Sequence, residues 1–366
     1  MVFSGGMMKN LNIIGPINQL GYGIASLNII KSLHAHYNLS LWVIGQPQVT
    51  SQEDANILSK LIHNSQSFDF KAPCIKVWHQ HDMAQFSGKG ERIGFPIFEL
   101  DEFNEIEKHS LSSLDRIFVC SSWAKDVILN NINISKDLVN VVPLGVDSSL
   151  FQINNESTEN ATVFFNCGKW EIRKGHDIIP EVFSEAFDVD DNVELWMMNS
   201  NPFLSEEDNK NWQNLYKSSK LGSKIKFINR VNSHNEVYNI MRMADCGLFP
   251  SRAEGWNLEL IEMLSCGKHI ITTNYSAHTE FCNSNNAFLI DIDEKELAFD
   301  GQWFHGKCGR WAKIGNSQRD QMIAHMRKVH KMKQENHKII NTSGRTTAEV
   351  FSWNNTANKI MENIYV

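Results

Sequence analysis

Three cations and two carboxylates, each beside a glycine-bearing turn, are the side chains of this sequence best suited to chemistry. Phe249–Ile271 reads FPSRAEGWNLELIEMLSCGKHII, an apolar strand ending in Pro250-Ser251, then a turn, then a helix from about Asn257. A helix start offers unpaired N–H groups and a partial positive charge, which favour an anion such as phosphate. Gly255 has no Cβ to hold a ligand off, so the backbone of Gly255, Trp256, Asn257 and Leu258 is a candidate cradle. Glu254 stands just before this helix and Glu262 inside it, with seven residues between them. A carboxylate at Glu262 can accept from a pair of ribose hydroxyls. Taken alone, a first-turn acid complementing the helix dipole and a solvated Glu explain the pair equally well.

A second stretch, Asn166–Gly175, carries Lys169, Arg173 and Lys174 between Gly168 and Gly175, directly after a strand. Three cations at a strand's carboxyl end, facing a helix start, suggest a clamp for a diphosphate; a solvated basic loop is the alternative. Gly21-Tyr22-Gly23 opens a helix after the first strand. As a dinucleotide fingerprint it is broken, because Ser26 replaces the third glycine and no acid follows the second strand, which argues against hydride transfer. A glycine loop facing the diphosphate is the better expectation, a plain strand–helix turn the alternative. His79, His81 and Asp82 close one strand and Glu99 the next, so they are candidates to orient an acceptor or the transferred sugar. No further ligand spacing supports a metal at the two histidines, and none is expected.

The elements that must position these groups follow from pattern. Leu11–Ile14, Leu39–Ile44, Ile75–Trp78, Arg92–Phe98, Arg116–Cys120 and Val139–Pro143 read as strands alternating with stretches of helical period. After the polar segment Gln152–Ala161 the rhythm restarts. Strands are expected at Thr162–Cys167, Val193–Met198, Lys224–Ile228, Cys246–Pro250 and His269–Thr273, and helices at Ile178–Phe187, Glu206–Lys217, Asn235–Met243 and Leu258–Leu264. The fold class is α/β, with two doubly wound Rossmann-like domains, 1–155 and 156–349, facing a central cleft in which ligands bind. Asp300–Trp311 is aromatic and glycine-containing, with no evident role in that fold. The helix after it is basic; a solvated face is expected there, with a membrane-surface or anionic-acceptor contact as the alternative.

Composition narrows the function classes. The 366 residues are 42% hydrophobic with a net charge of −7, enough apolar content for real cores and no global attraction to nucleic acid. The seven cysteines form no Cys-x-x-Cys pair and several lie in apolar runs, so buried reduced thiols are expected. No apolar run reaches the roughly 20 residues of a membrane span, and Met1–Asn10 lacks the pattern of a secretory signal. A cytoplasmic protein is the expectation, with peripheral contact to the inner face of a membrane as its variant.

Taken in order, the motifs resemble the retaining nucleotide-sugar glycosyltransferases of family four, which have the GT-B fold. Val142-Pro-Leu-Gly-Val-Asp147 with Phe151 matches the family's VPxGVD…F segment. Lys169 stands at the Arg of its G-R…KG segment, followed by Lys174-Gly175. Glu254-Gly-Trp-Asn-Leu-Glu-Leu-Ile-Glu262 matches its EGFGLPxLE signature, and Ser265-Cys-Gly-Lys-His-Ile-Ile271 its A-C-G-x-P-V-I. Trp256, Asn257 and Glu259 replace the usual Phe, Gly and Pro. Asn tolerates positive φ better than most residues, so Asn257 can keep the backbone donors in place.

The resemblance implies transfer of a sugar from a nucleoside diphosphate to a glycan, lipid-linked or protein acceptor, with retention and without a metal or other cofactor. It gives catalytic roles to Glu254, Lys169 and Lys174, a ribose contact to Glu262, and base contacts to the backbone near Arg230 and Val231. Many relatives place a His where Glu99 stands. The resemblance also implies that the terminal helix, about 350–366, joins the first domain. A GT-B sugar-nucleotide epimerase and a non-catalytic nucleotide-sugar-binding paralogue are the rival readings.

Overall fold

The computed structural model describes residues 8–153 and 160–364; Met1–Met7 and positions 154–159 of the polar segment lie outside them. The chain divides into two units. One takes residues up to Phe98, Glu102–Gly145 and the chain from Trp353; the other takes Glu99–Asp101 and Val146–Ser352.

The first unit runs β1 (Asn10–Pro16), α1 (Gly21–Leu33), β2 (Asn38–Ile44), α2 (Gln52–Asn64), β3 (Cys74–Trp78), β4 (Arg92–Pro96), α3 (Glu105–Ser112), β5 (Arg116–Val119), α4 (Ser122–Asn131) and β6 (Val139–Val141). Its strands are all parallel, in the order β2-β1-β3-β4-β5-β6. Ile75, Val77, Ile93, Phe95, Ile117 and Phe118 are completely buried, as expected of strands covered on both faces. The expected strand Arg92–Phe98 stops at Pro96. The Tyr22 hydroxyl accepts from the Ile97 N–H at 3.1 Å and donates to the Ile97 carbonyl, which takes both groups out of the ladder.

The second unit runs β7 (Thr162–Gly168), α5 (Ile179–Ala186), β8 (Val193–Asn199), α6 (Glu206–Lys217), β9 (Ile225–Phe227), α7 (His234–Met241), β10 (Cys246–Phe249), α8 (Leu258–Ser265), β11 (His269–Thr273) and β12 (Phe288–Ile290). These strands are also parallel, in the order β12-β11-β10-β7-β8-β9. Phe164, Phe183, Leu195, Met197, Leu248 and Ile271 centre its core. Strand order reverses between β1 and β3 in one sheet and between β7 and β10 in the other. Loops leaving such neighbours diverge and leave a crevice beyond their carboxyl ends.

Asp300–Trp311 does have a place in the fold. It belongs to an antiparallel hairpin, β13 (Lys295–Phe299) with β14 (His305–Ala312), whose loop is fastened by the Asp300 carboxylate accepting from the N–H groups of Gln302, Trp303 and Phe304. Three glycines and no β-branched residue near β14 hid this strand from pattern reading. Next come α9 (Asn316–Glu335) and α10 (Thr342–Val350). The basic helix α9 packs Met322, Met326 and Val329 into the core, and its Lys333 is buried against Asp245 at 2.8 Å. Among the described residues no helix is long and apolar enough to cross a membrane.

The last helix, α11 (Trp353–Asn363), belongs to the first unit and packs against α1. The Thr356 hydroxyl donates to the Pro143 carbonyl at 2.8 Å, and Ile360 is completely buried. Ile360→Ala should therefore cost about 2–5 kcal/mol, the usual range for truncating a buried aliphatic side chain. Urea unfolding checks this, and an unchanged midpoint would show that α11 is dispensable to the unit.

Candidate functional site

The two stretches singled out by their chemistry are the loops that leave β7 and β10, the neighbours at the reversal of the second sheet. Their backbones touch, the Arg252 N–H donating to the Arg173 carbonyl. Gly175, at φ +76°, is required here, because a Cβ would lie 2.3 Å from the Pro250 carbonyl oxygen.

The loops are joined by a buried ionic network. Glu254 Oε1 accepts from Lys174 Nζ at 2.9 Å and from the Ser251 hydroxyl at 2.9 Å; its Oε2 accepts from Arg173 Nη1 at 2.8 Å. Arg173 also donates to Glu171 and to the Ala253 carbonyl, and lies 3.9 Å from Glu99. Lys169 pairs with Glu171 at 2.9 Å. Burial alone would raise Glu254 and Glu171, but Arg173 and Lys174 outweigh it at Glu254, and Arg173, Lys169 and Lys174 at Glu171. Glu254 is held far below the carboxylate range and Glu171 at about 2. For Glu99 burial prevails over Arg173 and moves the carboxyl upward. Of the three expected clamp cations, Arg173 is turned inward at 5% exposure and holds carboxylates. Lys169 and Lys174 remain at the surface of the network.

Asn257 has φ +95°, as its residue type allowed, and caps α8 by accepting from the Leu260 N–H at 3.1 Å. That fixes its amide: Nδ2 donates to His278 Nε2 at 3.0 Å, so the His278 proton sits on Nδ1 and is given to Thr272 Oγ1 at 2.9 Å. The Trp256 side chain is buried against Phe281 and Phe351, which leaves only its backbone for a ligand. Gly255 and Leu258 are buried beside it. Glu262 is buried in α8 without an ion pair, and burial, with Glu259 adding, raises its carboxyl well above the usual range. Arg230 and Val231 lie in the loop between β9 and α7, Arg230 exposed.

The other candidates gather at the reversal of the first sheet. Tyr22 packs tilted against His79 with centroids 4.6 Å apart, and His79 stacks on His81 at 5.3 Å. Asp82 lies 3.4 Å from the buried Lys76. A Cβ on Gly23 would collide with the Asn18 backbone at 2.4 Å, whereas one on Gly21 would meet nothing, so Gly21 alone opens space for a ligand. Among the described residues, no three His, Cys, Asp or Glu side chains are grouped as a metal would require. Six cysteines are buried, and all seven are free thiols.

Sequence reasoning missed Glu171, His176, Asp177 and Arg252. His176 accepts from the Glu171 N–H and gives its Nε2 proton to Asn166 Oδ1, which sets the clamp loop on the end of β7. Arg252 pairs with both Asp177 oxygens at 2.8 Å, and its N–H and carbonyl tie the β10 loop to Arg173 and to Ala312 of β14. The only signal was Arg252 itself, two residues before Glu254, with nothing to mark its partner.

The two-unit architecture is the GT-B fold. A glycosyltransferase from Rickettsia africae ESF-5 has TM-score 0.69 and 15% identity over 98% of both chains. HepE from Anabaena, solved with UDP and glucose, has TM-score 0.68 and 14% identity over 98% of this chain and 99% of its own. Residues 148–300, most of the unit that carries the ionic network, match the family model "Glycosyl transferases group 1". Among curated relatives, the phosphatidylinositol N-acetylglucosaminyltransferase GPI3 subunit of Saccharomyces cerevisiae (strain YJM789) is 22% identical over 177 residues, 46% of this chain. The match spans only 38% of that relative's length.

Burial holds His176 down to about 3 and His278 to about 4. In the unfolded chain both bind protons near pH 6.5, so stability is full above that value and falls as pH drops toward 4. Denaturant midpoints across pH, compared between the native chain and His278→Asn, should differ by about one proton taken up on unfolding in this window. No difference between about pH 6.5 and 5 would contradict a neutral, buried His278 imidazole.

Proposed function

We propose that this chain transfers a glycosyl group from a nucleoside diphosphate sugar to an acceptor hydroxyl, with retention of anomeric configuration. One observation carries the reading: lysines and a capped helix start converge from the two loops at a sheet reversal, beside an unpaired buried carboxyl. A leaving diphosphate needs negative charge stabilised as the glycosidic bond breaks, and groups already fixed in place do this without reorganising. Lys174 and Lys169 supply the cations, and the N–H groups at the start of α8 supply neutral donors. Glu262, buried in α8, holds a ribose hydroxyl through its carboxyl. Glu254 acts on the sugar while keeping Lys174 and Arg173 in place. Gly21 faces the diphosphate, and His79, His81 and Asp82 in the first unit and Glu99 in the second are the acceptor-side candidates. In this reading the cations take the place of a divalent metal, so EDTA leaves turnover unchanged.

The family match over residues 148–300 and the fold shared with HepE, solved with UDP and glucose, support this reading. A non-catalytic binder is favoured by one feature, the engagement of Glu254 by three protein donors. Donor turnover with and without acceptor separates the two.

Four variants test the assignment. Lys174→Ala should weaken bare nucleoside diphosphates by about 1.5–3 kcal/mol, roughly 10- to 150-fold. Glu262→Ala should weaken them too, whereas Glu262→Gln, which keeps a donor and an acceptor, should be tolerated. Glu254→Gln should bind bare nucleotide almost normally yet lose turnover, together with some thermal stability as Arg173 and Lys174 lose their counter-charge. Calorimetry with UDP, GDP and ADP beside a donor-consumption assay reads all four. Normal turnover by Glu254→Gln together with full nucleotide binding by Lys174→Ala would place the site elsewhere.

A further inference from the structure

Most large apolar side chains of the second unit are buried, but the aromatic rings of Phe203, Phe299 and Trp303 are 57%, 62% and 46% exposed. Two of them meet: Phe203, after β8, and Trp303, in the hairpin loop, pack edge to face with centroids 6.2 Å apart. Neither is on a loose loop. Asn201, almost fully buried, accepts from the Phe203 N–H at 3.0 Å and donates to the Trp170 carbonyl at 3.0 Å, which binds the Phe203 loop to the residue after Lys169. Trp303 is fixed by the Asp300 carboxylate, which accepts from its N–H at 2.7 Å. The base of the hairpin is anchored by Trp311 in a small core with Ala253 and Ala298. The Lys169 ammonium lies 5.5 Å from the Phe203 ring centre while paired with Glu171.

Two fixed aromatic rings, each about half exposed and set at 77° to one another, with the Lys169 ammonium over the Phe203 ring, match one chemical shape closely. A pyranose has a face of C–H groups bearing partial positive charge and a rim of hydroxyls. The C–H face complements the negative face of one aromatic ring, and the hydroxyls complement the N–H groups of Lys169, whose side chain is 36% exposed. An acyl chain would cover the Lys169 ammonium without offering it an acceptor. A nucleobase fits less well, because the nucleoside end of the donor is accounted for by Glu262 and the loop at Arg230 and Val231.

We propose that the corner made by Phe203 and Trp303 is a platform for a pyranose ring, stacked on one of the two aromatic rings with its hydroxyls toward Lys169. The proposal rests on the glycosyl-transfer reading and adds to it a place for a sugar ring. That ring comes from one of two sources, the transferred sugar of the donor or a saccharide acceptor.

The test uses Phe203→Ala, Trp303→Ala and Trp303→Phe, with methyl α-glucoside, methyl α-mannoside and methyl N-acetyl-α-glucosaminide as probes. In saturation-transfer NMR the native chain should mark the C–H protons of one face of at least one glycoside. Each alanine variant should weaken that binding about tenfold, and Trp303→Phe should largely restore it. Bare UDP, GDP or ADP should change by no more than roughly twofold in calorimetry. If the sugar nucleotide also loses its advantage over bare nucleotide, the donor's sugar occupies the platform; if it does not, the acceptor does. Three outcomes overturn the proposal: no glycoside contact, equal loss of bare nucleotide, or glycosides unaffected while binding to anionic phospholipid vesicles is lost. Glu254→Gln keeps the glycoside signal, so a chain that binds glycosides but never consumes a donor retains the platform and refutes only the transferase reading.

Discussion

The buried contact of Glu254 with Arg173 and Lys174 is the interaction on which the rest of the second unit's functional end depends. Removing ions from water costs several kcal/mol each, and the mutual attraction offsets this only when every lone pair and proton has a partner. That condition is met here: Glu254 is engaged by Arg173, Lys174 and Ser251, and Arg173 by two carboxylates and a carbonyl. Such a network is poor evidence for extra stability but fixes geometry, because a shift of either loop would leave a charge buried and unpaired. The site's position depends on it more than the sheet does.

Neutral polar groups hold the network from behind. His176 sets the β7 loop on Asn166, and His278 sets the α8 cap through Asn257. Each imidazole accepts at one nitrogen and donates at the other, so each works only while uncharged; a second proton would meet a donor already in place. The hairpin closes the arrangement from the far side, through the Ala312 N–H on the Arg252 carbonyl. The two loops are thus held by ions within, imidazoles behind and a hairpin outside.

Much of this fold was legible in the sequence because parallel strands buried on both faces leave unbroken apolar runs. The spans Thr162–Cys167 and His269–Thr273 and the helix Glu206–Lys217 agree with the structure within a residue. Asn257 was legible for another reason: few residue types tolerate φ +95°, so a side chain standing where glycine is usual points to its own conformation. Arg173 was misread because charge in sequence carries no direction. Next to Lys174 it reads as a clamp cation, and only folding reveals Glu171, Glu254 and Glu99 around it. The hairpin was missed because β14 carries its order in long-range pairing and in Trp311, while its composition reads as a loop.

Glu254 and Glu262 share one sequence signature and have opposite electrostatics, and this bears on how a diphosphate binds. Glu254 is surrounded by cations that hold its carboxyl low; Glu262 has no ion pair among the described residues, and burial raises its carboxyl. A diphosphate arriving at Lys174 meets an ammonium already neutralised in part, so the Coulombic gain is smaller than three loop cations in sequence would suggest. Backbone donors at the start of α8 carry no such counter-charge, and Asn257 leaves the first of them free by capping only Leu260. In the proposed transfer, recognition of the diphosphate would therefore fall more on the helix start, and Lys174 would be a charge shared between Glu254 and the leaving group. As negative charge grew on the leaving oxygen, that sharing would move toward the diphosphate and loosen Lys174 from Glu254. The carboxylate would then be more available to the sugar as positive charge developed there.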